Sequence, residues 1–487
     1  MVIIKDIFSA SNRLRKYINK TPLEYCERLS KKYGANVFLK REDLQKTRSF
    51  KIRGSINKIL NSIDSIDSID SIDSNKSNKS NKSNKSNKSN KNQFNKSNIN
   101  IYSASAGNHA QGVALGSKLL GIKSNIFCPI TTPPQKLKRI EQFGEEYLNL
   151  SLYGDNFNSS LDFALENCKK ENGIFIHPYD DYDVICGQGT IAKEIVEEFY
   201  DYTNSANLNL CKDDNIDYII SCIGGGGLIS GISSFIKNSE DKNINKIKIF
   251  GVEPEGADSM KKSMECGERI KLDNIDTFVD GASVSQVGEK TFEICSKENY
   301  IEDILTVENG LICHEMINLY QEEGIIVEPA GALSICGLEK LNESGKINGK
   351  KKNIVCIVSG GNNDLMRYPE IMEKNLIHLN RKHYYIIQFN QKPQELKKFI
   401  NNILEYTDSD LNYEGLIDKS LNKNFDKMDN YGDITRFDYL KKTNSNYGSV
   451  LVGIETKYND IIEKKMIKNG FKYYKINSDD LLYNYLI

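Results

Sequence analysis

Short apolar runs that end in small or polar residues and pass directly into helical patterns are the feature that most restricts this chain. "NIYSAS" leads into a helix expected over 108–120, "SNIFCPI" into one over 134–143, and "DYIISCI" into "LISGISSFIK". "KIKIFGVEP" and "KNIVCIVSGG" repeat the grammar further on. Strands feeding helices through glycine-rich turns predict an open, mostly parallel α/β sheet. Ligands of such sheets bind at the carboxyl ends of the strands, so the turns are where chemistry is to be sought.

Three of those turns carry unusual residues. Gly224, Gly225, Gly226 and Gly227 follow one strand directly and precede Leu228 and a helix. Glycines let backbone N–H groups crowd around a ligand, and a helix N-terminus favours negative charge, so a phosphate fits. The stretch matches neither GxxxxGK[ST] nor a dinucleotide fingerprint, which disfavours nucleoside triphosphates and NAD. A flexible turn of four glycines is the lesser alternative. "SASAGNHAQG" brings Ser105, Ala106, Gly107, Asn108 and His109 to the start of a helix, a set of small and hydrogen-bonding groups suited to a carboxylate or a ring hydroxyl. The same residues would also make an ordinary polar helix cap. Ser359 closes the run "IVCIVSGGNND", where a hydroxyl can meet a heteroaromatic nitrogen or merely cap a turn. Lys51, in "LQKTRSFKIRGSINKIL", sits among apolar residues of a helix start, and a charged group there is solvated unless it has a partner. Together the motifs ask for a phosphorylated, aromatic, aldehyde-bearing cofactor with a lysine partner.

At 487 residues the chain has the length of about three domains. A net charge of −1, from 65 basic and 66 acidic side chains, gives no footprint for nucleic acid or an acidic membrane. No apolar run reaches the roughly 20 residues that span a bilayer. The 11 cysteines include no CxxC pair, which points to reduced thiols in an intracellular protein and to no metal site. The N-terminus lacks the apolar segment of a secretory signal, so a cytoplasmic location is expected, with a mitochondrial address as the weaker alternative.

From about 61 to 98 the chain is low-complexity: SID four times over Ser62–Asp73, then SNK six times over Ser74–Lys91. Such a tract cannot bury enough surface to offset its ordering, so a disordered insert is expected. A second polar insert is expected over about 409–431. After 376 the pattern changes to strand, helix, strand, strand, helix, strand, a ferredoxin-like order in residues 377–487 without a catalytic cluster. A regulatory or dimerising role follows naturally for that segment.

"KREDLQKTRSFKIRG", "SASAGNHAQGVA", "CGQGTIAKEI", "GGGGLISG", "VEPAGALS" and "VSGGNND", in this order, closely resemble the threonine dehydratases, pyridoxal-phosphate enzymes of fold type II. The match covers about residues 5–375 apart from the insert, and the tail resembles the single ACT-like regulatory domain of the short biosynthetic forms. The resemblance implies two open parallel-sheet α/β subdomains followed by an α+β ferredoxin-like domain. It also implies pyridoxal 5'-phosphate as cofactor and conversion of L-threonine to 2-oxobutanoate and ammonia. Regulation by isoleucine, with valine as the alternative, and a dimer or tetramer come with it; serine dehydratase and serine racemase are related alternatives.

Residue by residue, it makes Lys51 the Schiff-base lysine with Phe50 beside the ring. Asn108 falls on the ring hydroxyl, Gly224 to Leu228 on the phosphate and Ser359 on the pyridine nitrogen. Ser105, Ala106, Gly107 and His109 fall on the substrate carboxylate, with Ser105 or the cofactor phosphate as the proton donor to the leaving hydroxyl. Many relatives have glycine where this chain has Arg48, as the short forms do not. Serine racemase binds a divalent metal through a Glu and an Asp in the stretch like "VEPEGADS", but Ser259 stands at the Asp position, and no metal is expected here.

Overall fold

The apolar runs become the strands of three sheets. In chain order these are β1 (Leu23–Tyr25), β2 (Asn36–Arg41), β3 (Asn100–Ala104), β4 (Lys123–Cys128), β5 (Leu148–Leu152), β6 (Ile174–Phe175) and β7 (Tyr218–Cys222). They continue with β8 (Lys248–Pro254), β9 (Asp303–Val307), β10 (Asn353–Val358), β11 (Lys382–Asn390), β12 (Asp433–Leu440), β13 (Tyr447–Glu455) and β14 (Lys472–Ile476). The structure, a computed structural model, describes residues 2–77, 99–204, 214–348, 351–405, 432–441, 444–477 and 480–486. They fall into two units, Met1–Asp364 and Leu365–Ile487.

The first unit holds two sheets. One has the order β1-β2-β10-β7-β8-β9, parallel except for the edge strand β1. Its central members β7 and β10 are buried at every position, as expected of strands covered by helices on both faces. The other, β5-β4-β3-β6, is parallel throughout. Helices follow β3, β4 and β7 over Asn108–Leu120, Pro134–Gly144 and Gly227–Lys237. Nine of the ten described cysteines are buried and none is in a disulfide.

The expected disorder from residue 61 is corrected over the SID repeat. The helix that opens at Lys51 runs on to Ser77. Ile63 is buried and Ile66 partly so, both in the cluster formed with Ile99, Ile101, Val113 and Ile122, and the hydroxyls of Ser62 and Ser65 donate to the carbonyls four residues back. The first isoleucines of the repeat therefore have a core to bury in, which composition alone does not reveal. Residues 78–98 and 406–431, which hold most of both expected inserts, lie outside the described residues.

The second unit is an antiparallel sheet ordered β12-β13-β11-β14, with helical segments between β11 and β12 and between β13 and β14. This is the ferredoxin-like arrangement, and its core is Tyr385, Ile387, Phe389, Phe399, Val452 and Met466 with their neighbours. The unit begins earlier than the 376/377 boundary read from sequence. The helix Tyr368–His378 belongs to it, because Ile377 packs against Tyr384, Leu451 and Ile476.

Candidate active site

Lys51 is the first residue of its helix. The residues before it are tied to the end of β10: Phe50 N–H donates to the Ser359 carbonyl at 3.1 Å, and Gly361 N–H donates to the Arg48 carbonyl at 2.9 Å. Arg48 itself adopts φ 54°, a left-handed conformation that glycine takes at no steric cost. The Lys51 amine is enclosed and donates to the Pro178 carbonyl at 3.1 Å, and it lies 5.3 Å from the Phe50 ring centre. No ion pair of Lys51 is found among the described residues. Burial pushes its pKa down to about 8, against smaller opposing effects of Cys222 and Glu328. At neutral pH about one molecule in ten then carries a neutral amine there.

The glycine run between β7 and its helix is a cradle without room for side chains. A Cβ on Gly225 would fall 2.3 Å from the Tyr179 ring, and one on Gly226 would fall 2.7 Å from Met260 Cε and 2.8 Å from Thr291 Cβ. Gly226 also takes φ 93°, which L-residues avoid. The loop is fixed from outside: Thr291 Oγ1 donates to the Gly225 carbonyl at 2.7 Å, and Gly288 N–H donates to the same carbonyl. Leu228 lies buried in the first turn of the helix, whose opening N–H groups have no partner within the helix.

Tyr179, the wall of the cradle, comes from the segment after β6. There the N–H groups of Tyr179 and Asp180 donate to His177 Nδ1, at 3.2 and 2.7 Å. Burial holds His177 at about 4, so the ring is neutral and carries its proton on Nε2. The Asp180 carboxylate accepts from the N–H groups of Glu289 and Lys290, at 3.0 and 2.7 Å, and anchors the helix that bears Thr291.

At the end of β3, Ser105 Oγ accepts from Gly107 N–H at 3.2 Å. Asn108 opens the helix and is held at both ends of its amide. Nδ2 donates to Glu328 Oε1 at 2.6 Å, and Oδ1 accepts from Asn362 Nδ2 at 2.7 Å. His109 differs from what its motif suggests. Its ring points into the core, where Nε2 donates to the Ile176 carbonyl at 2.9 Å and Nδ1 lies 3.3 Å from Ser55 Oγ. Burial pushes its pKa down to about 3, so it stays neutral. What His109 can offer a ligand is its backbone N–H. Ala106 packs partly against the apolar cluster and contributes only backbone, as does Gly107.

Ser359 is buried at the end of β10, and its hydroxyl donates to the Ala330 carbonyl at 3.1 Å. A ring nitrogen would have to compete for that proton by rotating the hydroxyl. The Cys222 thiol lies beside it. In the "VEPEGADS" stretch, Glu253 accepts from the N–H groups of Met260 and Lys261, both at 2.9 Å, and so caps a helix. Among the described residues no cluster of three or more metal-ligating side chains occurs.

Sequence reasoning passed over Glu328, Asn362, Tyr179, Asp180, Thr291 and Cys222. Glu328 and Asn362 stood inside quoted motifs, "VEPAGALS" and "VSGGNND", but nothing local marked them. The assembled donor set fits a pyridoxal-phosphate group: a glycine cradle at a helix N-terminus, an enclosed amine of lowered basicity, and an amide and a hydroxyl at neighbouring strand ends.

The comparisons with known proteins agree with this chemistry. Residues 14–360 match the family model described as pyridoxal-phosphate dependent enzyme, and residues 418–486 match that of the C-terminal regulatory domain of threonine dehydratase. A biosynthetic L-threonine dehydratase of Halalkalibacterium halodurans is 39% identical over 487 residues, covering 99% of each chain. That of Bacillus subtilis is 37% identical over 491 residues, covering 100% of this chain and 98% of its own. Among solved structures, the processed threonine deaminase isoform 2 of Solanum lycopersicum superposes with TM-score 0.62 at 34% identity, over 77% of this chain and 87% of that one. Maize serine racemase superposes with TM-score 0.61 at 27% identity, over 78% of this chain and 99% of that one.

Proposed function

Since the chain belongs to the pyridoxal-phosphate dependent enzymes, and within them to the biosynthetic threonine dehydratases, we propose that it is an L-threonine ammonia-lyase that releases 2-oxobutanoate and ammonia as the first step of isoleucine biosynthesis. The observation that carries this reading is the enclosed Lys51 amine, set among the strand-end groups just described in a chain that also bears the regulatory domain. We place the enzyme in the cytoplasm on its likeness to the biosynthetic threonine dehydratases of Halalkalibacterium halodurans and Bacillus subtilis.

Pyridoxal phosphate, when bound, supplies an electron sink for the pair left at the substrate α-carbon. The protein's own groups do the rest. Lys51 holds the cofactor and then, as a neutral amine, takes the α-proton; its lowered basicity keeps that form accessible. Gly224 to Leu228 hold the phosphate through backbone N–H groups and the helix terminus. Phe50 would back the ring, Asn108 would meet its hydroxyl and Ser359 its nitrogen. The Ser105–His109 loop would take the substrate carboxylate through the N–H groups of Ala106, Asn108 and His109, since that of Ser105 is held by the Phe127 carbonyl and that of Gly107 by Ser105 Oγ. The Ser105 hydroxyl or the cofactor phosphate would deliver a proton to the departing β-hydroxyl. With a hydroxyl and not a carboxylate at that position, Ser359 would supply no negative charge to hold a proton on the ring nitrogen, which would favour β-elimination over transamination.

For the second unit we propose feedback control by isoleucine, with valine as the alternative effector, in a dimeric or tetrameric enzyme. A ketoacid assay on threonine and serine, each with and without isoleucine, tests the function. Threonine should be the better substrate and isoleucine should inhibit. The Lys51→Ala variant should lose the visible band of the bound cofactor and at least about 1000-fold of the rate, since it removes both the anchor and the base. An unchanged band and rate would remove Lys51 from the role. Serine dehydration or racemisation is the second reading, supported by the likeness to maize serine racemase. One substrate methyl is worth only about 1–3 kcal/mol in a pocket, so the threonine-to-serine ratio decides it.

A further inference from the structure

Asn108 is a neutral amide, and an amide can face a ligand with either its donor or its acceptor end. Its surroundings remove that choice. Glu328, in the residue before the helix Pro329–Glu343, accepts one Nδ2 proton, and Asn362 occupies Oδ1. Asn362 is held in turn, since its Nδ2 also donates to the Thr47 carbonyl at 2.8 Å and lies 3.3 Å from Gln111 Oε1. Asn108 is left with one N–H to give, and its oxygen is turned to Asn362.

Glu328 is well placed to impose this. It is 6% exposed, its N–H donates to the Gly360 carbonyl at 3.2 Å, and a Cβ on Gly360 would fall 2.3 Å from Oε1. The carboxylate is thus clamped between β10's turn and Asn108, and it makes no ion pair among the described residues. An ionised carboxylate can only accept. A glutamine or a protonated acid in its place could also donate, and would tolerate the reversed amide.

We propose that Glu328 is a positioning residue for the cofactor: by accepting from Asn108 Nδ2 it reserves the remaining N–H of that amide for the cofactor's ring oxygen, and so sets the charge that oxygen carries in the holoenzyme. The proposal rests on the placement of Asn108 at the ring hydroxyl. The groups that act on the carboxylate are Asp280, which disfavours its charge, Lys136 and Lys51, which favour it, and the Cys222 thiol beside Lys51. Burial raises Glu328 to about 7, so the orienting charge is lost as pH falls through neutrality.

The test uses holoenzyme carrying Glu328→Gln, Glu328→Ala, Asn108→Ala or both Glu328→Ala and Asn108→Ala. The visible band of bound pyridoxal phosphate is recorded from pH 5.5 to 9, its dissociation constant is measured on resolved protein, and melting temperatures are taken alongside. Glu328→Ala should weaken the cofactor about tenfold, the worth of one charge-assisted hydrogen bond, and alter the band. Glu328→Gln should restore affinity to within about threefold of wild type, having kept the hydrogen bond, yet abolish the spectral transition near pH 7. The double variant should bind no more weakly than Asn108→Ala alone. Should Asn108→Ala change the band while both Glu328 variants keep the wild-type spectrum and its pH profile, the positioning role is overturned and the Asn108 placement stands. A wild-type band in Asn108→Ala would overturn both. Loss of fold in Glu328→Ala leaves the decision to Glu328→Gln, whose unchanged pH profile would refute the proposal.

Discussion

Replacing Gly225 by alanine separates two reasons a phosphate loop is made of glycine. Gly225 has no left-handed φ, so alanine is allowed there by backbone conformation, and what forbids it is the Tyr179 ring. Its new Cβ would meet Tyr179 Cδ1 and Cγ at 2.3 Å and Cδ2 at 2.4 Å, whereas carbon atoms pack at about 3.5–4.0 Å. The ring or the loop must therefore move by about 1–1.5 Å. Tyr179 resists, because its N–H is held by His177 Nδ1 and its ring packs edge-on against that imidazole at 4.8 Å. The loop resists too, because Thr291 holds the Gly225 carbonyl. Overpacking of this size costs about 1–3 kcal/mol. Displacing one phosphate-facing N–H weakens the cofactor by about 10–100-fold, from the 1.5–3 kcal/mol of a hydrogen bond to a charged group. Thermal melts of resolved protein and equilibrium titration with pyridoxal phosphate measure both effects. In a Tyr179→Ala background the same Gly225→Ala change should recover most of its loss, while Gly226→Ala, strained at φ 93°, should not. An equal loss of cofactor affinity from Gly225→Ala in both backgrounds would refute the steric account.

Arg53 is fully buried two residues beyond Lys51, with its guanidinium on Glu42 and Glu194 at 2.7 Å each; Arg53→Met leaves Glu42 without a cation, while Glu194 keeps Lys40 at 3.0 Å, and should cost about 3–5 kcal/mol in chemical denaturation. Burial raises Glu253 to about 8 from 4.5, so the folded state retains a proton that the unfolded state releases; its contribution should fall as pH rises from 4.5 to 8, and Glu253→Gln should flatten that part of a stability–pH curve. Ile63→Ala, at a buried position inside the SID repeat, should cost about 2–4 kcal/mol, and a value near zero would show that the repeat does not pack.

What could be read from the sequence was what is local. The glycine run, the Asn108 turn and Ser359 each follow an apolar strand within a few residues, and strand ends in a parallel sheet are where ligands gather. Lys51 required the company of those turns and a family resemblance. Partners distant in the chain escaped notice. Glu328 reaches Asn108 across 220 residues, and the Tyr179 ring that walls Gly225 comes from another sheet's edge. His109 looked like a ligand because it stands in a donor-rich turn, yet Ser55 and the Ile176 carbonyl, from two other segments, take its ring. The SID tract looked incapable of order because composition averages over positions, while burial is decided position by position. The boundary at Leu365 was hidden for the same reason: the helix Tyr368–His378 is assigned by the contacts of Ile377, not by any break in composition.

The helix that runs from Lys51 into the repeat joins the reactive lysine to a tandem triplet. A three-residue unit on a helix of 3.6 residues per turn rotates by about 60° with each copy, so a single core can accept only the first few copies of any such unit. Among the described side chains of the repeat, Ile63 and Ile66 pack in the core. By that geometry the core sets no count on later copies, and triplets gained or lost by replication slippage keep the reading frame. Selection on the lysine end therefore places no count on the repeat end, and closely related strains should differ in repeat length while agreeing at every residue up to Ile66.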